Sequence, residues 1–320
     1  MKIFLSIASY RDPLLHTTVM SAYKNADNPQ NLVFGVVDQS DPNETFNLDR
    51  VPFRTQVRYH RVDPIYARGA CWARALAQTL WSNEEYYLQI DSHTLFDPGW
   101  DTALTTAHRG ISTLHARPVI TAYPHSFEVV GGDITNLQQS KFSGMLTLVA
   151  GEGFSGEHEM YVHTKARIID RAEPTHGYLV SGNFLFTTGD VVQNVPYDPF
   201  LFFSGEEHSY ALRLWTHGYN IFHLPEIPVY THYGRDYRTT IWSDKLEAHR
   251  PTKWWQWDMK SKARLADIVV GKDLGVYGLG RERTLDQYIE LTGIDYKNRV
   301  LLPKSLDGEH IFSKNFRMPL

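Results

Sequence analysis

Short apolar runs alternate with helix-like segments over the first hundred residues of the chain. Four strands are predicted, at residues 3–7, 32–37, 57–62 and 86–90. Two helices are predicted between them, at residues 14–25 and 70–81. In the second helix, Trp72, Leu76 and Leu80 recur every four residues and so share one face. Strands that alternate with helices are typical of a parallel sheet covered by helices, so the predicted fold class is α/β with a mostly parallel central sheet.

The rest of the chain has a weaker pattern. Further helices are predicted at residues 104–117, 208–217 and 284–291, and further strands at 119–123, 145–150, 160–163, 221–223 and 229–232. The segment 124–143 is polar and contains glycine, which is typical of a long loop of the kind that often binds ligands. After His249 the composition changes to tryptophan and basic residues. We therefore predict a main domain over residues 1–248 and a helical C-terminal extension, 249–320, packed on it.

The composition of the chain excludes several classes of protein and of site. The 320 residues are 42% hydrophobic and 21% charged, with 32 basic and 36 acidic residues. Such a balance is typical of a globular chain without a general affinity for nucleic acid or anionic membranes. Cys71 is the only cysteine, which excludes a disulfide framework and a cysteine-based metal site. No apolar run approaches the roughly 18 to 20 residues of a membrane span, and the N-terminal apolar run is too short for a signal peptide, so a cytoplasmic location is expected.

An Asp-Ser-His tripeptide follows the predicted strand 86–90 and is the strongest candidate for chemistry. Asp91 and His93 lie two positions apart, where the strand gives way to a loop. In open α/β sheets, ligands bind at the carboxyl ends of strands. A carboxylate oxygen and an imidazole nitrogen together suit Mn²⁺ or a similar divalent cation. The alternative is a turn in which both side chains only bind backbone groups.

Longer strings around this tripeptide resemble one family. They run from Arg68 to Gln78 (RGACWARALAQ), from Leu88 to His93 (LQIDSH) and from Pro98 to Asp101 (PGWD). Further matching strings are SIASYRDP from Ser6, VPYDP from Val195, FSGEE from Phe203, ALRLWTHGY from Ala211 and GLGRERTL from Gly278. Together they closely resemble the cytoplasmic N-acetylglucosaminyltransferases of glycosyltransferase family sixty, whose known members modify hydroxyproline in a polypeptide. The resemblance covers nearly the whole chain and is weakest over residues 124–171.

The layout also resembles, more distantly, the mucin-type polypeptide N-acetylgalactosaminyltransferases, which carry an Asp-x-His metal motif. These resemblances imply a GT-A fold, a UDP-sugar donor such as UDP-GlcNAc, and transfer with retention of anomeric configuration. They also imply a manganese ion or another divalent cation, with a third ligand from a distant histidine. His232 lies at the matching position. The acceptor that they imply is a hydroxyl group of the hydroxyproline type.

The resemblance also assigns residues to the nucleotide. The end of the first strand is the place of the nucleoside in GT-A enzymes, which implies contacts from Ser6, Ala8, Tyr10 and Arg11. Asp38 ends the second strand and could accept a hydrogen bond from uracil or ribose. Arg68 and Arg74 precede the metal motif and could pair with phosphate, and Ser92 lies within the motif itself. For Tyr10 and Arg74, the alternatives are a core aromatic residue and a solvated helix position.

A Gly-Glu-Glu string opens a predicted helix. In the related enzymes, the glutamate of the corresponding Gly-Glu contacts the donor sugar, which assigns Glu206, after Gly205, to the sugar. Neighbouring helix residues point in different directions, so Glu207 is expected to have a structural or an acceptor-side role. Two acids at a helix start also have a simpler explanation, because they favour the positive end of the helix dipole. Gly182 and Asn183 follow an apolar run and would let the backbone approach the sugar closely.

The predicted catalytic residues are Asp91, His93, Glu206 and Glu207. No residue stands out as a nucleophile, which favours front-face attack by the acceptor hydroxyl with the departing phosphate as base. Besides a polypeptide hydroxyl, a hydroxymethylated pyrimidine in DNA or a glycan would fit this chemistry. The stretch 249–264 combines tryptophans with lysine and arginine. It either packs as structure or, through residues 254–264 and with the segment 124–143, flanks the acceptor side. A nucleotide-sugar-binding module without activity is the non-enzymatic alternative.

Overall fold

The computed structural model describes residues 1–157, 159–313, 316 and 318. Within these residues it contains sixteen strands: β1 (Ile3–Tyr10), β2 (Leu32–Gln39), β3 (Val57–Arg61), β4 (Tyr86–Asp91), β5 (Thr94–Phe96), β6 (Pro118–Thr121), β7 (His125–Val129), β8 (Leu137–Ser140), β9 (Met145–Phe154), β10 (Val162–Ile169), β11 (Thr175–His176), β12 (Phe184–Thr188), β13 (Asn220–His223), β14 (Val229–Thr231), β15 (Ile294–Asp295) and β16 (Val300–Leu301). The same residues form nine α-helices: α1 (Leu15–Asn25), α2 (Ala70–Gln78), α3 (Trp100–Ser112), α4 (Val191–Asn194), α5 (Glu206–Thr216), α6 (Trp254–Val269), α7 (Leu285–Thr292), α8 (Lys304–Asp307) and α9 (Glu309–Phe312). None of these helices is both long enough and apolar enough to cross a membrane.

An eight-stranded sheet forms the centre of the fold, in the order β11–β13–β6–β12–β4–β1–β2–β3. Strands β3, β2, β1 and β4 run parallel, β12 is antiparallel to β4 and β6, and β13 is parallel to β6. Along β1, Leu5 and Ile7 pack with residues of α1 and α3, whereas Phe4 packs with residues of α2 and α5. Burial on both faces explains why these strands are continuous apolar runs. The predicted mostly parallel α/β sheet is confirmed.

A second sheet, in the order β5–β14–β7–β8, includes the segment 124–143. The prediction of a long loop there is wrong, because β7 and β8 pair as an antiparallel hairpin with Phe127 opposite Gln139. Phe127 is buried in a small apolar cluster, against which Val129 and Leu137 pack. Tertiary burial therefore stabilises two strands that are too short and too polar for the sequence pattern to reveal.

The C-terminal residues share a hydrophobic core with the rest of the chain. Leu265 of α6 and Tyr288 of α7 belong to the same buried cluster as Leu212 and Trp215 of α5. Helix α6 comes so close to the start of α5 that a Cβ atom on Gly205 would lie 2.7 Å from a methyl carbon of Leu265. Gly205 also has a φ of +83°, a backbone conformation that favours glycine. The predicted extension thus packs on the main body, while a domain boundary at residue 248 stays a prediction.

Replacing Leu265 tests how firmly this extension is joined to the main body. The side chain is 0% exposed, so Leu265→Ala should lower the free energy of unfolding by about 2–5 kcal/mol. Met259→Ala, on the same helix, removes a side chain that is 64% exposed and should change stability by no more than about 0.5 kcal/mol. Urea denaturation measures both effects. Equal effects of the two substitutions would contradict a shared core.

Candidate active site

The carboxyl ends of β1 and β4 and the first turn of α5 open into one cavity of about 520 Å³. The two strands are parallel neighbours and end at the same edge of the sheet, where Ala8 pairs with Asp91. The predicted site residues that line this cavity are Ala8, Tyr10, Arg74, Asp91, Ser92, His93, Gly182, Asn183, Gly205, Glu206, Glu207 and His232. A cavity of this size is typical of sites for small molecules and cofactors.

Two strands of the second sheet bring the distant histidine to the metal motif. Thr231 of β14 pairs with Thr94 of β5. The backbone N–H of His232 then donates to the carbonyl oxygen of His93 at 3.2 Å. The match that assigned His232 from the sequence thus corresponds to a contact in the fold.

Two of the predicted nucleotide-binding residues are buried away from the cavity. Ser6 lies within β1 and is 1% exposed. Asp38 is also fully buried, and its carboxylate accepts hydrogen bonds from the Ser40 hydroxyl, the Phe46 N–H and the Tyr59 hydroxyl, at 2.6, 2.8 and 2.9 Å. These partners use the acceptor capacity that the sequence analysis assigned to uracil or ribose.

The other two predicted nucleotide-binding residues outside the cavity lining are arginines. Arg11 pairs with three carboxylates of neighbouring loops, at 2.9, 3.1 and 3.4 Å. Arg68 is exposed and lies over the rings of Trp72 and Trp257, at 5.6 and 5.8 Å from their centroids. Both guanidinium groups are thus engaged by protein side chains at the edge of the site.

Arg74, on α2, joins two carboxylates of the cavity. It is 6% exposed, so the alternative of a solvated helix position is wrong. Its Nη2 donates to Asp91 Oδ1 at 2.8 Å, and its Nη1 donates to Glu206 Oε1. Tyr197 donates its hydroxyl to the same Glu206 oxygen at 2.7 Å. Because both terminal nitrogens are engaged, Arg74 orients the two carboxylates instead of presenting a free cation to phosphate.

This network also fixes the charges of its members. Burial alone would raise the pKa of Asp91, but the hydrogen bond to His93 and the charges of His93 and Arg74 hold that pKa well below its ordinary value. Burial alone would lower the pKa of Arg74, whereas the charges of Glu206 and Asp91 raise it. Asp91 is therefore an ionised oxygen donor at neutral pH.

His93 is held from behind by Asp12, a carboxylate that the sequence analysis did not assign. His93 Nδ1 donates to Asp12 Oδ2 at 2.7 Å, and the Ser92 hydroxyl donates to the same oxygen at 2.8 Å. This leaves His93 Nε2 facing Asp91 Oδ2, at 3.4 Å. Burial alone would lower the pKa of His93, but the hydrogen bonds to Asp12 and Asp91 raise it. A carboxylate behind a histidine is the usual support of a metal-ligating imidazole.

His232 is oriented in a similar way. Its Nδ1 lies 2.8 Å from the carbonyl oxygen of Phe127. A carbonyl oxygen can only accept, so Nδ1 carries the proton and Nε2 keeps the lone pair that a metal needs. The donor chemistry of Asp91, His93 and His232 thus fits a divalent cation. Among the residues that the structure describes, however, no group of three or more His, Cys, Asp or Glu side chains is arranged to hold a metal ion, so the three-ligand site stays a prediction.

The backbone at Gly182 separates the two acids at the start of α5. A Cβ atom at this position would lie 2.6 Å from Arg74 Nη1, which explains the need for glycine. The Gly182 N–H donates to Glu207 Oε1 at 2.8 Å. Burial and the charge of Glu206 raise the pKa of Glu207, whereas the hydrogen bond from Gly182 lowers it. The net result is a pKa of about 7. The two neighbouring glutamates are therefore in different electrostatic environments.

Tyr10 lines the cavity with its hydroxyl group already engaged. The hydroxyl donates to Asp244 Oδ2 at 2.6 Å and accepts from Arg250 Nη2 at 2.6 Å. The Arg250 guanidinium also lies over the ring, 5.6 Å from its centroid. Stacking of the Tyr10 ring on a base stays a prediction.

Two cavity arginines were missed in the sequence analysis. Arg235 and Arg238 follow His232 in the loop after β14 and line the cavity. Arg238 Nε is buried and has no hydrogen-bond partner among the described residues. The signal available in the sequence was a pair of basic residues within six positions of a predicted metal ligand.

Several basic residues of the stretch 249–264 are engaged by other groups of the protein. Lys262 forms ion pairs with two carboxylates, the longer at 2.8 Å, and Arg264 pairs with a third at 2.8 Å. Lys253 donates to two backbone carbonyl groups. Neither this stretch nor the segment 124–143 contributes a residue to the lining of the cavity, and the expectation that they flank the acceptor side stays a prediction.

Replacing Arg74 tests whether its ion pairs stabilise the protein. Arg74→Met would leave the carboxylates of Asp91 and Glu206 without their shared cation, and should lower the free energy of unfolding by about 3–5 kcal/mol. Adding Glu206→Gln to this variant removes one of the unpaired charges and should recover part of the loss. Arg68→Met, at the exposed arginine, serves as the control in urea denaturation. A loss no greater than that of the control would show that the network does not order the site.

Solved structures with a similar fold include GalNAc-T7 with UDP, GalNAc and Mn²⁺, at a TM-score of 0.58 and 14% identity, covering 92% of this chain and 50% of that chain. They also include residues 1–349 of S. aureus TarS in complex with UDP-GlcNAc, at a TM-score of 0.53 and 15% identity, covering 93% of this chain and 72% of that chain. The chain thus spans about half the length of the GalNAc-T7 chain. A search of curated proteins finds no match. The structural likenesses establish that the fold is GT-A.

The sequence itself matches a family over most of its length. The family described as "Glycosyltransferase (GlcNAc)" matches residues 2–51 and 40–298. These ranges contain every residue that lines the cavity. The chain therefore belongs to the glycosyltransferase (GlcNAc) family.

Proposed function

We propose that the protein transfers GlcNAc from UDP-GlcNAc to a hydroxyl group of an acceptor. The observation that carries this proposal is the placement of Asp91, His93 and Glu206 around one cavity, with buried Arg74 between the two carboxylates. Family membership supports the transfer of a sugar. The complexes of the structural neighbours, TarS with UDP-GlcNAc and GalNAc-T7 with UDP and GalNAc, support a UDP-sugar as the donor.

The cavity offers different chemistry to the two ends of such a donor. Arg235 and Arg238 line the cavity, and guanidinium groups bind phosphate oxygens well. Glu206 offers a carboxylate beside the close backbone of Gly182, which suits the hydroxyl and amide groups of a sugar. Ala8, at the end of β1, would then lie near the nucleoside. This arrangement favours a sugar nucleotide over a free sugar or a free nucleotide.

A divalent cation, for which Mn²⁺ is the candidate, would be held by Asp91, His93 and His232. When bound, such a cation stabilises the negative charge that develops on a departing diphosphate. The Asp12 carboxylate and the Phe127 carbonyl group orient the two imidazoles for this task. The Mn²⁺ ion in the GalNAc-T7 structure supports this choice of metal.

The acceptor is proposed from the resemblance to family sixty. That resemblance favours a polypeptide hydroxyl of the hydroxyproline type and transfer with retention of anomeric configuration. A modified pyrimidine in DNA would need cations for the phosphate backbone. The sequence offers Lys253, Lys260, Lys262 and Arg264 for that purpose. Lys262 and Arg264 are already paired with carboxylates, Lys253 donates to backbone carbonyl groups, and Lys260 lies over the ring of Trp257. Charge therefore favours a neutral hydroxyl acceptor, and NMR of the product anomer tests the stereochemistry.

A donor screen tests the proposal directly. Release of UDP should be fastest with UDP-GlcNAc, should require Mn²⁺ or a similar cation, and should stop when the cation is chelated. His232→Ala should weaken Mn²⁺-dependent binding of UDP-GlcNAc at least about tenfold, because an imidazole ligand is lost. His249→Ala, at an exposed histidine outside the cavity, should leave that affinity unchanged. Equal Mn²⁺ affinity of both variants in calorimetry would remove His232 from the metal site, and absence of UDP release with every donor would overturn the function.

Glu206 gives a second test, which concerns the sugar. Glu206→Gln keeps the size of the side chain but removes the charge, and should slow transfer from UDP-GlcNAc by about 10- to 100-fold because a charged hydrogen bond to the sugar is weakened. The affinity for UDP alone, measured by calorimetry, should change by less than about threefold, because UDP lacks the sugar. If transfer and UDP affinity fall together, Glu206 acts on the nucleotide or on the fold.

A further inference from the structure

Glu207 differs from the other carboxylates of the cavity in its partners. Asp91 pairs with Arg74 and His93, and Glu206 pairs with Arg74. Within the part of the chain that the structure describes, Glu207 forms no ion pair, and its one hydrogen bond comes from the Gly182 N–H to Oε1. Its other oxygen, Oε2, has no protein partner there. Glu207 is thus a carboxylate that lines the cavity and is held at one oxygen only.

The common explanation for an acidic residue at a helix start does not account for Glu207. Acids in the first turn often bind the free N–H groups of their own helix. Among the described residues, the Glu207 carboxylate forms no hydrogen bond with an N–H group of α5. Glu207 instead reaches the backbone at Gly182, on the far side of the Arg74 network. Even partial burial of an unpaired carboxylate costs free energy, so stabilisation of α5 is a weak reason for the presence of Glu207.

The groups around Glu207 allow its carboxyl group to gain or lose a proton near neutral pH. The carboxylates of Glu206 and Asp91 repel the negative charge of Glu207. The Arg74 guanidinium, which is paired with those two carboxylates, attracts it. The phenol groups of Tyr123 and Tyr233 also interact with its charge. With burial, these surroundings raise the pKa of Glu207 to about 7. A carboxylate with a pKa near the working pH is well suited to accept and release a proton.

We infer that Glu207 accepts the proton of the attacking acceptor hydroxyl group, an inference that rests on the proposed glycosyl transfer. The acceptor oxygen forms a bond to the anomeric carbon of the donor sugar. The bond from that carbon to the diphosphate oxygen breaks, and its electron pair leaves with UDP. The hydroxyl proton passes to Glu207 Oε2 and is later lost to solvent. This role replaces the departing phosphate, which the sequence analysis favoured as the base.

The experiment uses the whole chain, UDP-GlcNAc and water as the simplest hydroxyl acceptor. Glu207→Gln keeps an oxygen for the Gly182 N–H but cannot take a proton. The rate constant for UDP release should fall by about 10²- to 10⁴-fold, while the affinity for UDP, measured by calorimetry, stays unchanged. Glu207→Asp retains a carboxylate and should recover part of the rate. Glu173→Gln is the matched control, because it makes the same change at an exposed glutamate outside the cavity.

The pH dependence separates a proton acceptor from a structural residue. In the wild type, the rate should rise with pH and level off above about 7, because Glu207 must be ionised to take the proton. This step should be absent in Glu207→Gln and present in Glu173→Gln. The metal ligands titrate alike in all variants, so the difference between profiles belongs to Glu207. An unchanged rate or profile in Glu207→Gln, or loss of its UDP affinity, overturns this inference alone; absence of UDP release from the wild type overturns the proposed function and the inference with it.

Discussion

The arrangement of the site depends on one buried ion-pair network centred on Arg74. This residue connects Asp91, at the end of β4, with Glu206, at the start of α5, so that α2, β4 and α5 meet at one point. A guanidinium group is tolerated out of water only when carboxylates match its donors. Each partner therefore fixes the position of the others. A ligand that binds Asp91 or Glu206 meets side chains that are already oriented, which reduces the entropy lost on binding.

The same network gives two neighbouring glutamates different chemistry. Arg74 and Tyr197 hold Glu206 at one oxygen, so its carboxylate is a fixed hydrogen-bonding group. Among the described residues, Glu207 receives one N–H, from Gly182, and forms no ion pair, and burial raises its pKa to about 7. Glu206 and Glu207 differ by one position on the helix, yet the first is suited to hydrogen bonding and the second to proton exchange. In the proposed reaction, the first acts on the donor and the second on the acceptor.

Features encoded by neighbouring residues could be predicted from the sequence, whereas those that depend on long-range contacts could not. The central strands were predicted because full burial requires continuous apolar runs. The Asp91–His93 motif was predicted because the strand ends there. The hairpin in 124–143 was missed because packing against distant residues stabilises it. Asp12 was missed as the partner of His93, because this hydrogen bond is visible only in the folded chain. The hydrogen bonds that Asp38 accepts from Ser40 and Tyr59 are also visible only there, and its contact with the nucleotide stays a prediction.

A crystal structure of the protein with UDP-GlcNAc and Mn²⁺ would test the central claim most directly. The account predicts that the donor occupies the cavity at the ends of β1 and β4. The metal and diphosphate should then lie at Asp91 and His93, and the sugar should contact Glu206 with its anomeric carbon open towards Glu207. A donor bound outside this cavity, or a sugar that contacts neither glutamate, would contradict the account.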